Sequence, residues 1–470
     1  MKRRTLLIAL AMAALAALAL APEALAAGGG GSSGFGGGGF HGGGGGRGVG
    51  LYILIQILIR LIIFGHGLGA LIVIGLLALA FVYVRMAPRF RDAYKAHEEQ
   101  GPAARRQTAL RQRRVELAAA EAAEDDPAFA PDAVRSAATS LFKDIQAAWD
   151  ADDRSKLGTM VGPDLMREWD RRLDDFGRRG WRNRVEPLGE PTVEYVSLVH
   201  RGTAGEDRVV VRLEARLRDI VVDRVGNHIK RTGHMGETVR LREYWTLVRT
   251  GASAARPWIL TSIEQGAEGQ HALGERLVAG PWTDDETLRD QALVEGAVAT
   301  AVPTGTTVAE VADLDFDGAA RAAALDLSVA DGRFAPDVLE VAVRRAVRAW
   351  AQAVDGDDAP LAAVAEPEAR RELLHPGGSD QTRLVVRGPK VTQIRILGLD
   401  AAAVPPTMTV GVDVRGARYL EDRDTAAVVA GSRSRSTGFT EHWTFALTDD
   451  AQQPWRICAA GAGAAASLTG

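Results

Sequence analysis

Two carboxylates have the setting for buried chemistry. Glu243 is in phase with Val239, Leu241, Trp245 and Leu247 on one strand pattern, and Glu441 is in phase with Phe439, Trp443, Phe445 and Leu447 on another. Alternation turns both toward an apolar face, where a carboxylate binds a polar ligand, acts as a base of raised pKa, or accepts structural hydrogen bonds at a strand edge. Trp245, Trp258, Trp443 and Trp455 flank them, as core or as platforms for a ligand. A second group is basic: Arg171, Arg172, Arg178, Arg179, Arg182 and Arg184, interleaved with Trp169 and Trp181. Arginine beside tryptophan suits anionic lipid or an acidic partner, and the acidic neighbours Asp174, Asp175 and Glu186 leave a solvated face as the alternative.

Other chemistries find no foothold. His200, His228 and His234 have no metal-ligand spacing, and one cysteine, Cys458, makes neither a disulfide nor a thiolate site. No cofactor pattern stands out. Gly34-Phe35-Gly36-Gly37-Gly38-Gly39 fits a dinucleotide fingerprint in letters only, since no strand precedes it. With 56 basic and 60 acidic residues, bulk charge gives no nucleic-acid binder.

The elements that must position these residues occur twice. Glu243-Tyr244-Trp245-Thr246 is followed, after ten residues, by Pro257-Trp258; Glu441-His442-Trp443-Thr444 is followed, after nine, by Pro454-Trp455. Each reads as a β-hairpin. Phe129-Ala130-Pro131-Asp132 returns as Phe334-Ala335-Pro336-Asp337, and Asp152-Asp153 as Asp357-Asp358. Helical spacing covers Val134, Ala138, Leu141, Ile145 and Trp149, and again Leu165, Trp169, Leu173 and Phe176 after Pro163. Strands follow near 192–199, 209–217, 237–249 and 258–263. Helices first and an antiparallel sheet afterwards is α+β, expected here in two tandem copies, 128–268 and a divergent 333–462, with 269–332 between them as a linker or a capping extension.

The N-terminal part reads as a membrane anchor. Residues 1–26 form a signal peptide or signal anchor, and 27–50 a Gly-rich disordered segment. Residues 51–86 are the membrane segment. Leu68–Val84 is the span, while 51–64 lies in the interface, re-enters, or spans as half of a hairpin. A basic then acidic helical linker occupies 87–127, and nine Lys or Arg between 85 and 114 place the folded domains on the cytoplasmic face of a single-pass cell-membrane protein.

The hairpins, helical start and anchor together resemble the domain family named for subunit 44 of the mitochondrial inner-membrane translocase. The likeness covers most of 128–265 and, more weakly, 333–460. It implies a cone-shaped fold like nuclear transport factor 2, with helices on a curved sheet around an apolar pocket, and an adaptor that touches acidic lipid. The expected function is a membrane-tethered, non-catalytic binding or adaptor protein that holds a peptide, lipid or protein partner. The alternatives are an enzyme using Glu243 or a histidine in that pocket for proton transfer, and a structural stalk with filled pockets.

Overall fold

Proline opens the helices of this protein. Pro131, Pro163, Pro336 and Pro367 each stand in a first turn, where the missing N–H costs nothing. The computed structural model describes residues 102–203, 205–229, 238–251, 254–299, 314–318 and 320–461. The signal, the Gly-rich segment and the membrane span lie outside the described residues. No helix among the described residues is long and apolar enough to cross a membrane. The chain divides into two units: everything described from Ala118 onward belongs to one, and the first turns of the opening helix to the other.

In chain order the elements are α1 (Pro102–Asp125), α2 (Pro131–Ala151), α3 (Arg154–Gly158), α4 (Pro163–Arg179), β1 (Trp181–Pro187), β2 (Thr192–Val199), β3 (Arg208–Asp223), the short β4 (His228–Ile229), β5 (Thr238–Arg249) and β6 (Trp258–Gln265). These form the N-terminal half. Then come α5 (Asp285–Ala299), β7 (Leu314–Phe316), α6 (Ala320–Ala330), α7 (Pro336–Gln352), α8 (Ala359–Val364), α9 (Pro367–Leu374), β8 (Thr382–Asp400), β9 (Thr407–Asp422), β10 (Val428–Leu447) and β11 (Trp455–Ala460). Helices and antiparallel sheet make the fold α+β, as the patterning predicts.

Two sheets result. In the first, β3 carries β1 and β2 along one edge and β5 along the other, with β6 outside β5. In the second the order is β11-β10-β9-β8-β7, with β7 parallel to β8. The single strand β8 does for the second sheet what β1 and β2 do for the first. Its bend lies at the register shift between Arg387 and Lys390, where Gly388 has φ +54° and a Cβ would stand 2.5 Å from the His271 Cβ. Glycine alone fits there.

The motif hairpins share local geometry. A bulge follows Thr246 in one and Thr444 in the other. Leu260 bridges in parallel to Val161 and Ile457 to Ala365. Trp258 packs edge-on to Phe129 at 5.1 Å and Trp455 edge-on to Phe334 at 5.4 Å. The two indoles donate to the carbonyls of Ala128 at 3.3 Å and Arg333 at 2.8 Å. Each of those turns is capped by an aspartate, Asp126 on the Ala128 N–H and Asp331 on the Arg333 N–H, both at 3.0 Å.

Of the two readings of 269–332, linker or capping extension, the structure fits the second. α5 and α6 place Val294, Ala320 and Ala324 in the core of the C-terminal half, so this stretch caps that core. Its alanines read as low in information because they pack without periodic bulk.

Between the halves lies a buried ionic layer. Glu168 of α4 meets Arg423 at 3.2 Å and Arg383 at 3.6 Å, while Arg172 of α4 meets Glu421 at 3.6 Å. Glu421 also pairs with Arg383 at 3.2 Å and with Arg433. Arg423 reaches on to Asp355 at 2.7 Å. Glu268 accepts from the Tyr419 hydroxyl at 2.6 Å and from Arg387 at 3.1 Å. Charges removed from water are tolerable only when paired in this way, so the layer fixes the orientation of one half on the other.

Candidate functional site

The Gly180 turn builds the site. α4 ends there in the left-handed conformation, φ 69°, and a Cβ would press on the Arg224 side chain at 2.7 Å. The chain therefore reverses sharply into β1. Arg178 before the turn and Trp181, Arg182 and Asn183 after it all line one cavity. α2 contributes Trp149, its C-cap Asp152, α3 Arg154, and α4 Leu173, Asp174, Phe176 and Gly177. The volume is about 480 Å³, enough for part of an amphiphile.

Its floor is apolar and rigid. Trp149 donates from Nε1 to Asn183 Oδ1 at 3.0 Å, and Asn183 donates to Asp219 at 2.6 Å and to the Ile220 carbonyl at 3.1 Å. Trp169 packs edge-on to Trp149 at 5.5 Å. Leu173 and Phe176 are buried beside them. The mouth is charged: Arg154 pairs with Asp174 at 2.8 Å, Arg182 donates to the Asp150 carbonyl at 2.8 Å, and Arg179 stacks on the Trp181 ring at 5.2 Å. Arginines at the rim of an aromatic floor can hold an acidic group while its apolar part descends.

The arginine-rich stretch therefore splits. Arg178, Trp181 and Arg182 line the cavity. Arg184 pairs with Asp150 at 2.8 Å and Arg179 with Asp175 at 2.8 Å, both partly exposed. Arg171 faces the C-terminal half, on Asp424 at 2.9 Å. Arg172 corrects the expectation of a lipid-facing stripe: it is 3% exposed and lies inside the ionic layer with Glu168 and Glu421. Burial pushes its guanidinium down, against the pull of those carboxylates.

The carboxylate and tryptophan group has a different placement. Glu243, Trp245, Trp258, Glu441, Trp443 and Trp455 are all 1–2% exposed. Trp245 Nε1 donates to Glu243 Oε2 at 2.8 Å, and Phe142 packs on that indole at 5.9 Å. Burial, with Glu268 nearby and only the indole opposing, raises Glu243 to about 8. Glu441 pairs with Arg418 at 3.1 Å; burial raises it to about 7 although Arg418 pulls it back. The 480 Å³ cavity is lined without any of these six, and Trp455 borders a small cleft of about 10 Å³ with Val338, Val341 and Pro454. Phe439 and Trp443 instead pack edge-on against Trp350. A general base must reach a substrate proton, and Glu243 reaches its own tryptophan.

Of the histidines, His200 is buried with Nδ1 2.9 Å from Asp207, His228 sits in β4, and His234 lies outside the described residues. Among the described residues no group of three or more His, Cys, Asp or Glu could hold a metal ion. Sequence reasoning missed Trp149, Arg154 and Asn183 as site residues. The only signal was Trp149 closing the apolar stripe of α2 at its last turn.

No curated protein matches the chain. Among solved structures, the intermembrane space region of chloroplast protein ARC6 aligns at 12% identity and a TM-score of 0.22, covering 28% of this chain and 95% of that one. The model of the Tim44-like domain family matches residues 115–265, the stretch that carries every residue lining the cavity. Residues 115–265 are a Tim44-like domain.

Proposed function

We propose that this is a membrane-tethered, non-catalytic binding or adaptor protein whose Tim44-like cavity holds one acidic amphiphile, with the headgroup at Arg154, Arg178 and Arg182. The apolar part then rests on Trp149, Leu173, Phe176 and Trp181. The observation that carries this reading is the cavity itself: an aromatic floor under an arginine mouth, within a Tim44-like domain. The apolar stretch 51–86 and the basic residues after it support a single membrane span with the domains at the cytoplasmic face. The C-terminal half we read as a second, divergent copy of the same domain. Its shared bulge, parallel bridge, capped turn and tryptophan hydrogen bond support that reading.

The test is copurification. Full chain extracted from membranes in neutral detergent should retain one anionic phospholipid by native mass spectrometry, and Trp181→Ala combined with Arg182→Ala should lose it. A chain with no retained lipid, or a variant that retains it equally, would overturn the assignment. A retained peptide would make the occupant a protein partner.

A further inference from the structure

Two faces of α4 serve two purposes. Leu173, Asp174, Phe176, Gly177 and Arg178 line the cavity, and Glu168, Arg171, Arg172 and Arg178 meet the C-terminal half. Arg178 belongs to both sets. Its partner across the boundary is Asp424, in the turn between β9 and β10. Asp424 Oδ2 accepts from Arg178 Nη2 at 2.8 Å, and Oδ1 accepts from Arg171 Nε at 3.0 Å.

That turn is built to hold still. The Asp422 N–H donates to the Ala427 carbonyl at 2.8 Å, and the Ala426 N–H donates to the Asp422 carbonyl at 2.7 Å. Ala426 takes φ +58°, uncommon for a residue with a Cβ. The Asp422 carboxylate accepts from the Asp424 and Thr425 N–H groups at 3.1 and 2.8 Å. Arg423, between them, is locked into Glu168 and Asp355. Asp424 is thus a carboxylate fixed in place on Arg178, a residue that lines the cavity of the other half. Preorganised in this way, it loses little entropy in holding two guanidiniums.

We propose that Asp424 is a built-in counter-ion of the cavity mouth: with Asp175 at 3.3 Å, it occupies the Arg178 guanidinium that an incoming acidic group would take, so the C-terminal half sets the ligand preference of the N-terminal one. The proposal rests on the lipid reading above and adds its regulation. An acidic headgroup must share or displace Asp424 at Arg178, whereas a zwitterionic headgroup gains less from doing so. Occupancy of the cavity is thereby linked to the contact between the halves, and any partner that drew Asp424 away would raise affinity for anionic ligand.

The experiment uses full chain in phosphatidylcholine nanodiscs, titrated calorimetrically with monomeric dihexanoyl phosphatidylglycerol or dihexanoyl phosphatidylcholine. Asp424→Asn, nearly isosteric and able to keep its backbone turn, should bind the glycerol lipid about three- to fivefold tighter than wild type, the range expected from one partly exposed ion pair, with the choline lipid unchanged. Arg171→Gln should do the reverse, because Asp424 is then left to Arg178 alone. If wild type prefers the anionic lipid while Asp424→Asn binds it equally or more weakly, the counter-ion role is overturned and the lipid reading stands. If neither wild type nor Asp424→Asn prefers the anionic lipid over the choline lipid, the lipid reading falls and the counter-ion role falls with it. Equal thermal transitions for both variants and wild type confirm that folding is not what changed.

Discussion

The N-terminal and C-terminal halves carry the same hairpin with different chemistry behind it. In the first, Glu243 accepts from the indole of its own strand neighbour; in the second, Glu441 faces the guanidinium of Arg418 from β9. In the first, α4 runs 17 residues and ends beside an open cavity; in the second, α9 has 8 residues, and Trp350, Phe439 and Trp443 fill the interior. The longer helix also supplies the stripe that meets the other half. Helix length is one of the differences between the half that holds the cavity and the half whose interior is filled.

The comparison breaks most forcefully at the ionic layer. Glu421 is wholly buried and serves Arg172, Arg383 and Arg433 together. Glu421→Ala leaves uncompensated buried charge, which costs about 3–5 kcal/mol when one partner of such a pair is removed. Urea unfolding of the full chain in neutral detergent, followed by tryptophan fluorescence, should move to lower denaturant and separate into two transitions as the halves uncouple. A single transition at the wild-type midpoint would show that the halves are held by other contacts.

The paired glutamates give a pH test of the same contrast. Folded Glu243 keeps its proton to about pH 8, while the unfolded chain releases it near the ordinary 4.5. The folded state therefore binds more protons across that window, and stability falls as pH rises through it, then levels off above the folded value. Glu243→Gln should abolish this slope and stabilise the protein near neutral pH by on the order of a few kcal/mol at most. Glu441, raised by burial and pulled back by Arg418 to about 7, should show the same falling slope ending about one pH unit lower, so Glu441→Gln should stabilise near neutral pH by less than Glu243→Gln does. Thermal melts from pH 5 to pH 9 decide it; matching profiles for the two variants would mean that the two carboxylates have equivalent surroundings.

How much of this was legible depends on sequence separation. Thr192–Val199 and Pro131 through Asp152 could be read directly, because alternation, helical spacing, proline and the aspartate cap are local signals. The α+β order followed from the same signals. β1 was hidden, since Arg182 and Arg184 on its exposed face resemble a basic loop more than a strand. Arg171 and Arg172 looked like a solvated stripe because their partners, Asp424 and Glu421, lie some 250 residues away. No periodicity in α4 encodes a contact closed by tertiary packing. The cavity was equally invisible: the Gly180 turn brings Arg178 and Trp181 into one lining with Trp149 of α2, and the letters show only that the first two are close in sequence.

The smallest effect separates the two tryptophans that close the hairpins. Both donate to a carbonyl in the turn before a helix, at 3.3 Å for Trp258 and 2.8 Å for Trp455. Phenylalanine at either position keeps an aromatic ring against Phe129 or Phe334 and deletes the donor. A typical net hydrogen bond contributes about 0.5–1.5 kcal/mol, and the shorter one should lie at the upper end of that range. Trp455→Phe should therefore destabilise more than Trp258→Phe in the same urea titration. Both indoles are buried, and Arg333, whose carbonyl accepts from Trp455, is held by Asp331 at 2.7 Å, which keeps that turn closed to water. Equal losses would mean that both indoles contribute through packing alone, and the resemblance between the two hairpins would then be one of shape rather than of hydrogen bonding.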